Sequence, residues 1–281
     1  MIDSYEPRLF KFSGAGNDFV VLDGRSGGME PFRDPQRIGE LCREYRTDGL
    51  MILTQDSPGA DFTMEFYNPD GSGGMMCGNG GRCIVAFAHY LGLRPAAPDG
   101  TWLFRAPDGP HEARILSHCG SSWTVRLKMI DVQGIESVKG GYFLNTGTRH
   151  LVCFVADVEE MDVESAAKPL RWDPAFAPEG TNVNFVQVRS DGLHVRTFEK
   201  GVEGETLACG TGLTASALAA YRQGGPTLAS GIPPSCPPPS PQSYRLQCRR
   251  GDWLQVDFLP QPADCYTGIY LTGPAELIPL P

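Results

Sequence analysis

Met76-Cys77-Gly78-Asn79-Gly80 and Ala208-Cys209-Gly210-Thr211-Gly212 are two copies of one short signature, their cysteines 132 positions apart in a chain of 281 residues. Each copy leads into an apolar or small-residue run of helical length. The first is Cys83 to Leu93, apolar almost all round; the second is Gly212 to Tyr221. A helix without a polar face is buried on every side. Upstream of the signatures, Phe66-Tyr67-Asn68 and Thr197-Phe198-Glu199 end strand-like segments, with Asn68 and Glu199 131 positions apart. Further upstream, Gly16-Asn17 runs into Phe19-Val20-Val21 and Gly147-Thr148 into Leu151-Val152-Cys153, and Asn17 and Thr148 are again 131 apart. Landmarks at a near-constant long offset indicate duplicated domains, since solenoid repeats are shorter. Two copies of one fold are predicted, each with strands around a central helix and a cysteine at that helix's N-terminus.

Local patterns fill in the copies. Phe19 to Asp23 and Leu50 to Leu53 read as buried strands, and residues 35–46 as an amphipathic helix with Ile38, Leu41 and Cys42 inward. Asp61 to Tyr67 alternates Phe62, Met64 and Phe66 with polar neighbours, and a glycine-rich turn covers 68–74. Further strands are expected near 123–129, 142–145, 151–155, 183–188 and 193–198. Residues 226–243 hold seven prolines, a density that excludes helix and central strand, so they read as a surface insertion.

Composition narrows the function classes. The formal net charge is -9, against the basic footprint of nucleic-acid binders and of proteins that dock on anionic membranes. No run of apolar residues reaches transmembrane length, and the polar, acidic opening Met1 to Pro7 is not a secretory signal. The nine cysteines are irregularly spaced with no CxxC pair, which disfavours zinc ribbons, thioredoxin motifs and disulfide scaffolds. A reducing cytoplasm is expected, with most cysteines acting as small buried hydrophobes.

Cys77 and Cys209 stand apart from Cys42, Cys83, Cys119, Cys153, Cys236, Cys248 and Cys265, which lack the flanking pattern. A helix N-terminus presents unpaired N–H groups and partial positive charge. Such a position favours the reactive thiolate, and the flanking glycines admit an anion to the backbone. Two such elements facing each other across a domain cleft can take a proton from one face of a carbon and deliver one to the other. Helix ends holding the α-carboxylate stabilise the developing carbanion. This is cofactor-free racemisation or epimerisation. A covalent cysteine nucleophile with a histidine base would leave the second motif without a role. A Cys77–Cys209 redox disulfide is a further geometric possibility. Gly14-Ala15-Gly16 is followed by a strand rather than a helix, so it is not a dinucleotide loop.

Five segments, in order, resemble the diaminopimelate epimerase family over nearly the whole chain: Lys11-Phe-Ser-Gly-Ala-Gly-Asn-Asp-Phe19, Phe66-Tyr-Asn-Pro-Asp-Gly71, Met76-Cys-Gly-Asn-Gly-Gly-Arg82, Gly180-Thr-Asn-Val183 and Glu205-Thr-Leu-Ala-Cys-Gly-Thr-Gly212. Gly268-Ile-Tyr-Leu-Thr-Gly-Pro-Ala-Glu276 is similar to the family's closing strand. The resemblance implies an α/β (α+β) fold of two pseudo-symmetric domains. Each would be a mixed, strongly curved sheet around a central buried helix, with the active site in the cleft and the last strand returning to the first domain. The expected bounds are 1–122 plus 269–281 for the first domain and 123–268 for the second. It implies interconversion of LL- and meso-2,6-diaminopimelate, a small diamino dicarboxylate on the route to lysine and peptidoglycan, without metal or pyridoxal phosphate. It also suggests a homodimer.

By motif match, Cys77 and Cys209 are the acid–base pair. Gly78, Asn79, Gly210 and Thr211 match the carboxylate nests, and Asn17, Asn68 and Asn182 the amide contacts to substrate. Glu199 matches a group that meets the substrate ammonium and tunes the thiols, and His150 a second tuning group. The sequence departs from the family at four places: Lys200 stands for the usual arginine, Thr148 for the commonest asparagine and Arg149 for the usual proline, and the turn 45–49 is shorter. Lysine cannot make the planar bidentate grip of arginine, so Arg149 is a candidate supplier of the missing guanidinium. The alternatives are a racemase of this fold for another amino acid such as histidine, an inactive binding module, and a redox sensor.

Overall fold

The computed structural model describes residues 7–55, 58–74, 77–224 and 240–281. In chain order the elements are β1 (Leu9–Gly14), β2 (Asn17–Asp23), α1 (Pro35–Tyr45), β3 (Gly49–Thr54), β4 (Phe62–Tyr67), α2 (Gly78–Tyr90), β5 (Trp102–Ala106), β6 (Gly109–Cys119) and β7 (Ser122–Lys128). There follow β8 (Val132–Gln133), β9 (Glu136–Val138), β10 (Gly141–Asn145), β11 (Arg149–Phe154), α3 (Val163–Arg171), β12 (Asn182–Arg189), β13 (Gly192–Glu199), β14 (Gly204–Thr206), α4 (Gly210–Arg222), β15 (Gln242–Gln247), β16 (Trp253–Gln261) and β17 (Cys265–Ile278). The chain divides into two compact units, Met1–Leu127 with Gly273–Pro281, and Lys128–Thr272. These breaks fall at the end of β7 and within β17, against 122/123 and 268/269 in the expectation from sequence.

In the first unit β1 and β2 are antiparallel, β2 and β3 parallel, β3 and β4 antiparallel, and β4 and β5 parallel. β5, β6 and β7 continue antiparallel, and Gly273–Ile278 of β17 pairs with both β7 and β1, closing the ring. The second unit repeats the order. β10 and β11 are antiparallel, β11 and β12 parallel, β12 and β13 antiparallel, and β13 and β15 parallel, after which β15, β16 and the first part of β17 continue antiparallel. Gly16 and Gly147, at equivalent places before β2 and β11, share a φ of 111°, a left-handed value that a side chain would oppose.

Burial explains the helices. Cys83, Ile84, Val85, Ala86, Phe87 and Ala88 of α2 are all fully buried, as the all-round apolar run requires. The helix nevertheless begins at Gly78 and stops at Tyr90, not at Cys83 and Leu93. Its first turn, poor in helix formers, is held by Cys77, whose sulfur accepts the Gly80 N–H. At the other end Gly92 takes φ 81°, and its N–H bonds back to His89 O while that of Leu93 reaches Ala88 O. Likewise α4 starts at Gly210, directly after Cys209, rather than at Gly212.

α1 is capped by Asp34, which accepts the Arg37 N–H, and turns Ile38, Leu41 and Cys42 onto Val20, Leu22, Leu50 and Ile52. α3, which lacks a strong apolar signal and carries Pro169, was not expected; it is the counterpart of α1 and packs Val163 and Ala167 on Val183, Phe185 and Phe198. Of the proline-rich stretch 226–243, residues 226–239 lie outside the described residues. Gln242 and Ser243 open β15, so the insertion ends earlier than expected, where the prolines stop. Among the described residues no helix is long and apolar enough to cross a membrane.

Candidate active site

Each unit places its cysteine as the N-cap of a 13-residue helix, in extended backbone. In the first unit the Cys77 sulfur lies 3.2 Å from Gly80 N, the N–H pointing at it. A backbone donor aimed at sulfur, at the positive end of a helix, favours the charged thiolate. Asn79 is buried; its amide nitrogen donates to Asn17 Oδ1 and its Oδ1 accepts from Arg82 Nη2 at 2.8 Å. Arg82 is fully buried and also donates to the carbonyls of Gly78, Gly14 and Pro274, fastening the helix start to β1 and β17. Asn17 in turn bonds the Asp48 carboxylate, which also receives the Asp18 N–H; burial raises the Asp48 carboxyl and these bonds oppose it. Asn68, at the end of β4, holds the turn through Ser72, its amide nitrogen 3.0 Å from Ser72 Oγ.

In the second unit Cys209 is buried and has no cap bond from a backbone N–H. Its sulfur lies 3.4 Å from Thr211 Oγ1 instead. Thr211 Oγ1 is 3.0 Å from His150 Nε2 and 3.2 Å from Thr148 Oγ1, and Thr148 Oγ1 is 2.9 Å from His150 Nε2. His150 is fully buried, and that burial brings its imidazole down to about 3. Its Nδ1 is 3.0 Å from Asn184 Nδ2. Thus the structure joins Thr148, His150, Thr211 and Cys209 in one network.

Asn182 is buried with both ends of its amide engaged by the protein. Its Oδ1 accepts the Lys200 N–H at 2.7 Å, and its Nδ2 donates to Arg149 O at 2.8 Å and Thr148 Oγ1 at 3.3 Å. It therefore ties together the residues that depart from the family pattern. Arg149 Nη1 and Lys200 Nζ converge on one carboxylate oxygen, Glu179 Oε2, at 3.8 and 3.7 Å. Glu199 is the last residue of β13, paired in register with Gly204 and only partly buried.

Sequence reading missed Glu179, Asp48, Arg82, Asn184 and Thr197. Asn184 carried a signal: it alternates with Val183 and Phe185 in a wholly buried stretch, which puts a polar side chain inside. Glu179 carried none, because a loop carboxylate gains its meaning only from the cations folded against it. Of the seven cysteines set aside, Cys42, Cys83 and Cys248 are buried, and burial pushes each thiol up. Cys153 is half-buried and pushed up to about 11 by the same cause. Cys265 is also half-buried and Cys119 is exposed, so the buried-hydrophobe reading does not extend to these three. Cys236 lies outside the described residues.

The fold is shared with solved structures of low sequence identity. A phenazine biosynthesis protein of the PhzF family from Bacillus anthracis aligns with TM-score 0.72 and 11% identity over 96% of each chain. A probable proline racemase from Agrobacterium radiobacter aligns with TM-score 0.63 and 15% identity, covering 98% of this chain and 93% of that one. The chain therefore has the mixed α and β architecture of these proteins. Sequence places it more narrowly: it belongs to the diaminopimelate epimerase family, whose profile matches residues 9–115 and 142–231. Proteins named diaminopimelate epimerase are similar to it along most of their length. That of Chlorobaculum tepidum is 37% identical over 275 residues, covering 95% of this chain and 97% of its own. That of Aquifex aeolicus is 39% identical over 284 residues, covering 94% and 93%. These relatives are isomerases.

Proposed function

We propose that this chain interconverts LL- and meso-2,6-diaminopimelate by a two-thiol acid–base reaction, with Cys77 and Cys209 as the pair and no metal or pyridoxal phosphate. The observation that carries this reading is the matched placement of two sulfurs, each at the N-cap of a buried helix and each within hydrogen-bond reach of a neighbouring group, Gly80 N–H for Cys77 and the Thr211 hydroxyl for Cys209. One thiolate takes the α-proton, leaving the electron pair on the α-carbon and delocalised into the carboxylate. The other cysteine, as thiol, gives its proton to the opposite face and becomes the thiolate. Inversion thus exchanges the two protonation states and conserves protons. The N–H groups of Gly78, Asn79, Gly210 and Thr211 suit the reacting carboxylate, whose negative charge grows in the transition state. Glu199 is an acceptor for an ammonium group, and Asn17 and Asn68 offer amides.

The distal carboxylate is assigned to Arg149 and Lys200. Both already share the carboxylate of Glu179, an exposed group at the edge of its loop. A solvent-exposed ion pair contributes only about 0–1 kcal/mol, so a substrate carboxylate can take Glu179's place. Arg149 thereby restores the guanidinium that Lys200 lacks. Assembly as a homodimer and residence in the cytoplasm are part of the same reading and follow the family.

The test is incubation with LL-diaminopimelate in heavy water under reducing conditions. Deuterium at the α-carbon together with meso product is expected, and Cys77→Ser and Cys209→Ser should each abolish inversion. Exchange confined to a different amino acid would replace this substrate assignment, and no exchange with any amino acid would refute the enzymatic reading.

A further inference from the structure

The duplication allows each buried residue of one unit to be compared with its counterpart in the other. In β2–β3–β4 of the first unit, Phe19 pairs in register with Gly49, Val21 with Met51, and Met51 with Phe66. In β11–β12–β13 of the second, His150 pairs with Asn182, Val152 with Asn184, and Asn184 with Thr197. His150, Asn184 and Thr197 therefore occupy the places of Phe19, Met51 and Phe66. All six are buried. The first unit shows that the fold accepts an apolar trio here, with the Phe19 and Phe66 rings 6.0 Å apart edge to face. A buried polar trio in the same places must satisfy every donor and acceptor or be costly, so it calls for a reason beyond folding.

Its hydrogen bonds run in one direction. Leu151 O can only accept, and it lies 3.1 Å from Asn184 Nδ2, which fixes the amino end of that amide. Asn184 Oδ1 accordingly accepts from Thr197 Oγ1 at 2.9 Å. The second hydrogen of Asn184 Nδ2 points at His150 Nδ1, so Nδ1 is an acceptor and the neutral ring carries its proton on Nε2. That Nε2–H faces the hydroxyl oxygens of Thr211 and Thr148. With Thr211 Oγ1 accepting from His150, and from Thr148 behind it, the Thr211 hydroxyl hydrogen is left for the sulfur of Cys209.

We propose that Asn184, His150 and Thr211 form a one-way relay that makes the Thr211 hydroxyl a hydrogen-bond donor to the Cys209 thiolate, with His150 a neutral positioning residue rather than a base. The proposal rests on Cys209 being one of the two working thiols. In the first unit the Gly80 N–H already donates to Cys77; in the second, where no backbone cap bond reaches the sulfur, the hydroxyl takes that place. Burial of the imidazole supports a neutral ring through the physiological range.

The titratable and charged groups on the elements that carry the relay are Arg149 on β11, Arg189 on β12, His194, Arg196 and Glu199 on β13 and Arg222 on α4, with Glu179 before β12 and Lys200 just after β13. They are unchanged in the variants Thr211→Val, Thr211→Ser and His150→Gln. The test measures the rate of Cys209 alkylation by iodoacetamide against pH, resolved by peptide mass spectrometry. It needs no substrate, so its failure is distinct from failure of the epimerase reading. Thr211→Val should raise the Cys209 thiol pKa by about one to two units, while Thr211→Ser should leave it near the wild-type value. His150→Gln, which keeps a neutral N–H at the Nε2 position, should also leave it near wild type. An unchanged pKa in Thr211→Val overturns the proposal, as does a rise in His150→Gln as large as that in Thr211→Val. The wild-type protein provides a check free of folding defects. Histidine ring 15N spectra should show His150 as the Nε2–H tautomer from about pH 5 to 9, and a titration or an Nδ1–H tautomer in that range overturns the relay.

Discussion

Replacing His150 with glutamine removes a buried group that is neutral in the folded chain and basic in the unfolded one, and its effect should appear as a change in how stability depends on pH. Burial holds the folded imidazole at about 3, against 6.5 for the exposed ring. Between those two values the unfolded chain binds a proton that the folded chain does not, so stability falls as pH falls. Each unit of pKa difference is worth about 1.36 kcal/mol, and the loss goes on accumulating until the pH has passed below the folded value. From pH 7 to pH 5 the loss attributable to this one ring is about 2 kcal/mol, and it is set almost entirely by the unfolded value because the folded ring stays neutral throughout. Urea unfolding of wild type and His150→Gln, followed by circular dichroism at pH 7, 6 and 5, isolates the term, since every other titrating group is common to both proteins. The variant should lose about 2 kcal/mol less than wild type over that interval. If the two proteins lose stability in parallel, His150 is not held neutral and the relay built on its tautomer fails with it.

Three further outcomes follow from the geometry. A methyl added at Gly212 would be driven into Asn184 Oδ1, whereas at the equivalent Gly80 it would meet Cys77 Sγ, Met64 Cε and Met51 Sδ at 3.3–3.5 Å; Gly212→Ala should cost about 1–3 kcal/mol and Gly80→Ala less than about 1, read from thermal melts. Arg82→Met should destabilise by about 3 kcal/mol or more by leaving the buried carbonyls of Gly14, Gly78 and Pro274 and the amide of Asn79 without their donor, again read by melting. Arg149→Ala should raise the KM for diaminopimelate about tenfold with a smaller effect on kcat, and Glu179→Gln should lower KM, because a neutral amide competes less for the two cations; an unchanged KM in Arg149→Ala would remove that residue from the distal site.

The sequence was informative where the chemistry is local and repeated. Two Cys-Gly-x-Gly helix starts, and glycines before β2 and β11 that both require left-handed backbone, were visible as an offset because duplication preserved them. Alternation in Phe62, Met64 and Phe66 matched the observed burial of β4 because each of those side chains faces a core. The helix bounds were less legible: Gly78 to Gly81 look like a turn, and only the sulfur cap and the buried Arg82 make them the first turn of a helix. α3 was hidden because its inward face needs few residues, Val163 and Ala167 among them, and because Pro169 argues against a helix until its position near the last turn is known. The cluster of Arg149, Lys200 and Glu179 depends on three segments far apart in sequence, which Asn182 brings together through one amide. No spacing rule anticipates a contact of that kind.

The duplicated frame also clarifies why the two thiols are supported differently. In a two-thiol inversion the cysteine that begins as thiolate ends as thiol, so both protonation states lie on one reaction path and any free-energy gap between them adds to the climb in one direction. A hydrogen bond to a charged acceptor contributes about 1.5–3 kcal/mol. A donor at one sulfur and none at the other would therefore separate the two states by about tenfold or more. The first unit supplies its donor from the backbone, through Gly80 N–H on Cys77. The second lacks that bond and presents Thr211, with Asn184 and His150 behind it in places that the first unit fills with Met51 and Phe19. On the proposed two-thiol reaction, divergence of the side chains between the copies keeps the chemistry in balance, with a donor offered to each sulfur by a different route in each unit.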